Sequence, residues 1–307
     1  MAVNWGKIGV FFGFAALSLA IQADQKADQV QNGAYIAKIA GCVTCHTDSE
    51  NNGQPLSGDR ELKSRFGTFY SPNITPDPET GIGNWSNEDF LRALQHGISP
   101  KNEHYYPAFP YTSFTRMNRE DMLSIKAYLD SLPPVKKGQR QHILSWPARN
   151  RDLLGFWKRN SFQPGTMREN PMMSPEWNRG AYLVEAVLHC GECHTPRYSA
   201  GDPMRHRHLA GTYHGAKNEH VPNISSHRRD GIGSWTKSQV IAFLASGMTP
   251  KMQPITGSMA EVVRDSTSKL TAEDMVAIAE YLATVPAIPS FERLQHPRGL
   301  WWQEPSN

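Results

Sequence analysis

Hydrophobic and polar positions follow two patterns along this chain: one unbroken apolar block near the start, then short amphipathic stretches separated by long polar connections. The block runs from Ile8 to Ile21 behind the single basic residue Lys7 and ends at Gln22-Ala23-Asp24. A membrane-spanning helix needs about 20 apolar residues, so this shorter block predicts the centre of a secretory signal peptide over residues 1–23, cleaved after Ala23. An uncleaved anchor extended by Trp5 is the alternative. On either reading the chain is exported.

Beyond the block, Val30, Ala34, Ala37 and Ala40 form an apolar stripe, widened by Tyr35, Ile36 and Ile39, that predicts a helix over 29–41. A matching stripe predicts one over 177–190. Further helices are expected over 87–96 and 237–246, started by Asn87 and by the Thr236–Ser238 pair. A third pair falls at 119–131 and 272–284, capped by Asn118 and Thr271, the latter in a capping-box arrangement with Asp274. Strand signals are sparse.

These elements come in duplicate. "GAYIAKIAGCVTCHT" from Gly33 is matched by "GAYLVEAVLHCGECHT" from Gly180, with one residue added. "SPNITPDPETGIGNWS" from Ser71 is matched by "VPNISSHRRDGIGSWT" from Val221 at an offset of 150. "AYLDSLPPV" from Ala127 is matched by "EYLATVPAI" from Glu280. The expected fold is all-α: two tandem domains with long loops, over 28–135 and 172–290, joined by a basic linker 136–171 and ending in a tail 291–307. Three helices in about a hundred residues bury little apolar surface, so a nonprotein group is expected at each centre.

Composition narrows the partners. A formal charge of +3, from 32 basic and 29 acidic residues, gives too weak a field for nucleic acid. The 22 prolines and 24 glycines fit a loop-rich body. All four cysteines sit in two Cys-x-x-Cys-His pentads, at Cys42, Cys45, His46 and at Cys190, Cys193, His194. In an oxidising compartment free thiols pair unless something consumes them. A zinc site would want the pairs near one another in sequence, and a redox pair would want a βαβ context. Covalent haem uses every residue: two thiols add to the two vinyl groups and the next histidine faces the iron. Two haem c groups are expected, on Cys42 and Cys45 with proximal His46, and on Cys190 and Cys193 with proximal His194.

The sixth ligand decides between carrier and catalyst. Met259, in the loop before Thr271, offers a soft thioether to the second iron, with Met248 and Met252 as competitors. In the first domain Phe109 stands where a Met-Pro ligand dipeptide would fall. Met117 is the candidate there, with His104 and His96 behind it; a hydrophobic staple beside the cap is its alternative role.

The pentads, "PNITPDPETGIGNWS", "YYPAFPYTSFTRM", "EWNRGAYLVEAVLHCGECHTPR" and "GSMAEVV" together resemble the multihaem cytochrome c subunits of membrane-bound bacterial alcohol, aldehyde and gluconate dehydrogenases. The resemblance spans the mature chain. It implies class I cytochrome c domains, a periplasmic location, and electron passage from a dehydrogenase catalytic subunit towards a downstream acceptor, with membrane association through the N-terminus or a partner. It supports Met259 as a ligand, and Met117 after it. The tail contains no third pentad. The competing class is a dihaem enzyme, of peroxidase or thiosulfate-oxidising type, with an open or unusual first iron.

Other residues carry paired readings. Trp85 and Trp235 pack either near a haem edge or in the core, and Asn73 and Asn223 stand in sequons whose repetition favours a structural loop role. Arg197 is a candidate partner for a haem propionate. His206, His208, His214 and His220 lie in a loop without metal-ligand spacing. Between Lys136 and Arg159, seven basic residues face one acid, Asp152, which suits either an acidic partner or a solvated linker.

Overall fold

The computed structural model describes residues 8–213, 215 and 219–290; the tail 291–307, His214 and the first residues of the proposed signal segment lie outside them. Helix α1 runs from Ile8 to Ile39 and continues the expected 29–41 helix towards the N-terminus. After it come α2 (Cys42–Cys45), α3 (Asn87–His96), α4 (Tyr111–Phe114), α5 (Arg119–Asp130) and α6 (Asp152–Ser161). The second half contains α7 (Pro175–Tyr182), α8 (Gly191–His194), α9 (Lys237–Ser246), α10 (Gly257–Asp265) and α11 (Ala272–Leu282).

Caps fix where these helices begin. Ser86, one residue before the expected Asn87, forms a capping box with Asp89, and Thr236 forms one with Gln239. Thr271 caps α11 by accepting from Asp274 N, yet the Asp274 carboxylate does not return the bond, because it serves the other half of the chain.

The two sequence repeats make the same helix crossing. A Cβ on Gly33 would stand 1.8 Å from the carbonyl oxygen of Ser124, and one on Gly180 would stand 1.9 Å from that of Ala277. Only glycine lets α1 lie against α5, and α7 against α11, at backbone contact. The apolar faces so joined form the core: Ile36, Ile39, Met122, Ile125 and Leu129 in the first half, and Leu183, Val184, Met275, Ile278 and Leu282 in the second.

Tyrosines lock the halves to each other reciprocally. Tyr35 on α1 donates to Asp274 at 2.6 Å and accepts from Thr271 N, at the start of α11. Tyr182 on α7 donates to Asp121 at 2.6 Å and accepts from Asn118 N, at the start of α5. Each repeat thus completes the cap of the other's last helix. Burial of its carboxyl would raise Asp274, but the bonds from Arg179 and Tyr35 outweigh this and hold it below the ordinary range.

The structure departs from an all-α expectation in one place. An antiparallel sheet in the order β1 (Glu61–Ser64), β2 (Gly67–Tyr70), β3 (Ile143–Leu144) edges the first half. Strands of two to four residues are too short to show an alternating pattern. The third belongs to segment 136–171, which is therefore no bare linker: it pairs in the sheet, forms α6, and drives Lys158 into the carbonyls of His96 and Gly97 at the end of α3.

The residue added in the second repeat is visible as a π-helical turn, Leu183–Val187, closed by Leu188 N on Leu183 O at 2.8 Å. Such a turn absorbs one extra residue and shifts the helical phase of the residues after it. It carries Glu185 to His208 at 2.7 Å and to the Tyr281 hydroxyl at 2.8 Å.

Candidate haem-attachment sites

Each pentad forms a short helix, the first after the long α1 and the second after α7 and its π turn. Gly41, at φ 76°, ends α1 and turns the chain into Cys42–Cys45. In both repeats the proximal-candidate histidine is then held in the same way. His46 Nδ1 lies 2.7 Å from the carbonyl of Pro72, and His194 Nδ1 lies 2.8 Å from that of Pro222. The carbonyl can only accept, so Nδ1 carries the proton and Nε2 is left as the basic nitrogen. Burial pushes both imidazoles down, against the upward pull of the carbonyls, which favours the neutral ligand form.

The carbonyls are placed by the repeated Pro-Asn-Ile motif. Asn73 donates to Val135 O at 2.6 Å and accepts from Thr75 N and Oγ1; Asn223 donates to Ile288 O at 2.7 Å and accepts from Ser225 N and Oγ. Both asparagines are buried, so the sequons serve as loop clamps. Gly58 and Gly211, at φ 81° and 74°, donate to the carbonyls of His46 and His194 and bring this loop against each pentad.

The thiols complete a donor set that fits covalent haem. All four are unbonded. Burial pushes Cys42 and Cys190 up to about 12 and raises Cys45 in the same direction, while Cys193 lies at the surface. Neutral thiols beside an imidazole with a free Nε2, against an apolar wall, suit thioether formation to a porphyrin better than thiolate coordination of a metal ion. Among the described residues no cluster of His, Cys, Asp and Glu could hold a metal ion by itself.

The sixth-ligand candidates fall in different settings. Met117 is fully buried, one residue before the cap Asn118, where the second half has Leu270 before the cap Thr271. Met259 is half-buried on α10, a nine-residue helix where a flexible loop was expected; the flanking Pro254 and Gly257 hid it. Met252 is exposed, and Met248 is half-buried. His104 faces α6, with Nδ1 3.2 Å from Lys158 Nζ, and His96 is exposed. Trp85 and Trp235 are both half-buried against the apolar core.

Sequence reading missed the ties that each pentad makes to the opposite half. Glu192, between Cys190 and Cys193, accepts from Thr112 Oγ1 at 2.6 Å and Ser113 Oγ at 2.7 Å on α4. It also takes the Arg197 guanidinium, so that arginine is engaged by Glu192 rather than standing free for a propionate. On the other side Arg60 donates to Thr44 O in the first pentad at 2.8 Å and to Glu261 on α10 at 2.7 Å. No spacing rule marks such pairs. The histidines disperse: His208 goes to Glu185, His220 stacks on Tyr213, and His206 is exposed.

Comparison with known proteins agrees with this geometry. Residues 30–133 match the cytochrome c family. A dihaem c-type cytochrome from Cereibacter sphaeroides is 42% identical over 263 residues, covering 85% of this chain and 87% of that protein. The cytochrome c subunit of a quinone-dependent alcohol dehydrogenase from Gluconobacter oxydans is 37% identical over 96% of this chain. That of a gluconate 2-dehydrogenase from Pantoea cypripedii is 35% identical over 88%. This chain spans 63% of the length of each of these two subunits. Its cofactors are covalently bound haem c, two in the dihaem relative. With both halves built around the same histidine, thiol-pair and Pro-Asn arrangement, the chain belongs to the family of dihaem c-type cytochromes.

Proposed function

We propose that the chain is an exported, periplasmic electron carrier built from two tandem class I cytochrome c domains, 28–135 and 172–290. It would pass electrons from a dehydrogenase catalytic subunit towards the respiratory chain, with no substrate turnover of its own. One haem would be held by Cys42, Cys45 and His46, the other by Cys190, Cys193 and His194, with Met117 and Met259 as sixth ligands. The observation that carries this reading is the duplicated imidazole held by a proline carbonyl beside an unbonded thiol pair.

A bound c-type haem supplies one-electron exchange at its iron. The chain's own residues do the rest. The Pro72 and Pro222 carbonyls fix ring orientation and tautomer, the apolar core excludes water, and the Tyr35 and Tyr182 clamps keep the halves in register. A carrier works best when little moves on electron exchange, and these contacts tie each ring and the two halves in place.

The test is a redox titration with ligand binding. Two haem waves reduced by a dehydrogenase, a sulfur-to-iron charge-transfer band and slow carbon monoxide binding are expected; turnover of a small substrate by the protein alone would overturn the proposal. A second reading has one observation in its favour. Met117 takes the place that Leu270 takes in the second half, as a staple would, which would leave the first iron open. Rapid carbon monoxide binding at one haem would select it.

A further inference from the structure

The strap between the halves turns its apolar side chains outward. Ile143 on β3 is 66% exposed, Trp146 is 76% exposed, and Phe156 on α6 is 63% exposed. Leu153, three residues before Phe156, shares its helical stripe and is also exposed. The other side of α6 faces the first half, where Lys158 is buried and a Cβ on Gly155 would stand 3.3 Å from His104 Nε2. Ser145 N bonds Phe66 O at 3.0 Å, and Arg151 bonds His104 O at 3.2 Å. These side chains are therefore exposed on a pinned backbone, not on a frayed one.

Charge surrounds them unevenly. Lys136 pairs with Glu79 at 2.6 Å, and Lys137 approaches Asp59 at 3.3 Å. Arg149 and Arg159 form no ion pair among the described residues, and Arg159 lies over the Phe156 ring at 5.9 Å. Arg149, three residues from Trp146, also lines an open groove of about 360 Å³ with Tyr106, Arg140, His142 and Arg151. Indole and phenyl rings beside unpaired arginines suit the boundary between lipid headgroups and acyl chains, where apolar bodies insert and guanidinium groups meet phosphates.

We propose that the strap is a membrane-surface site. Ile143, Trp146, Leu153 and Phe156 enter the interface of an anionic bilayer, while Arg149, Arg159 and the groove take lipid phosphates. No described helix is long and apolar enough to cross a membrane, so this site would hold the carrier at the bilayer plane without a span. A second copy of the chain is a poor occupant, because it would set the same cations against one another. The inference does not rest on the ligand assignments, and its readout is binding rather than electron transfer.

The test is flotation of the oxidised holoprotein with phosphatidylglycerol vesicles and with phosphatidylcholine vesicles at low salt. Binding is expected to phosphatidylglycerol only, falling about fivefold for each of Arg149→Gln and Arg159→Gln. Trp146→Ser with Phe156→Ser is expected to remove the binding that survives high salt. All four positions lie at the surface, and an unchanged haem spectrum checks that the variants fold. Four results would overturn the proposal: no binding to phosphatidylglycerol, binding indifferent to these substitutions, a chain ending at Ser290 that fails to bind where the full chain binds, or variants that bind vesicles normally but lose reduction by an acidic partner protein.

Discussion

Replacing Tyr182 by phenylalanine is expected to destabilise the ferric holoprotein by about 2 kcal/mol, and replacing Tyr35 by about half as much. Each hydroxyl donates a 2.6 Å bond to a carboxylate of the opposite half. A hydrogen bond to a charged group contributes about 1.5–3 kcal/mol, and the helix-capping N–H that each hydroxyl accepts is lost with it. The two sites differ in what remains. Without Tyr35, Asp274 keeps both Arg179 bonds at 2.8 Å. Without Tyr182, Asp121 keeps the side-chain amides of Asn32 and Asn118 at 3.1 Å. An ionised carboxylate left to neutral donors suffers more than one left to a bidentate guanidinium. Urea unfolding monitored by circular dichroism reads the difference as a midpoint shift at constant slope. Arg179 bonds Asp274 and also lies over the Tyr182 ring, so the clamps are coupled and the double variant is expected to depart from the sum of the two. A larger loss for Tyr35→Phe than for Tyr182→Phe, or no shift from either, refutes the reasoning.

Three further outcomes are expected. Gly180→Ala places a Cβ 1.9 Å from Ala277 O and should cost about 3 kcal/mol in thermal melts, where an exposed helical position would gain from the same change; a neutral result would mean that α7 and α11 are not in backbone contact. Asn73→Ala leaves the buried Thr75 N–H without its acceptor and its hydroxyl with only the longer bond to Val135 O, and should cost about 2 kcal/mol, with haem loading reduced in the first half alone. Asp274 and Glu185 are held below the ordinary carboxyl range, in each case by partner bonds that outweigh burial. The unfolded chain therefore takes up protons first, and stability present above about pH 4 should fall as pH drops further; a flat profile down to about pH 3 contradicts this.

The helices were legible because their signals are local. Asn118 and Thr271 are the caps that the sequence suggested, and the Gly-Ala-Tyr repeats mark the crossing helices. The pentads stood out as the candidate site because two thiols and an imidazole at fixed spacing leave few alternatives. The hidden features depend on partners far away in the chain: Glu192 reads as a surface acid until Thr112 and Ser113 arrive, and Arg60 gives no hint of Glu261. The strap was opaque for another reason. Its strand is two residues long, and its helix turns hydrophobic side chains the wrong way for a core, so the usual amphipathic rule could not orient it.

The π turn at Leu183–Val187 makes the twin halves non-interchangeable. A chimera carrying the shorter first-half stretch in that place would keep the cysteines but set Lys38 where Glu185 meets His208 and Tyr281. A changed side chain on that turn thus gives the later copy a private polar neighbourhood, and duplicated centres can drift apart in chemistry while their scaffolds stay superimposable.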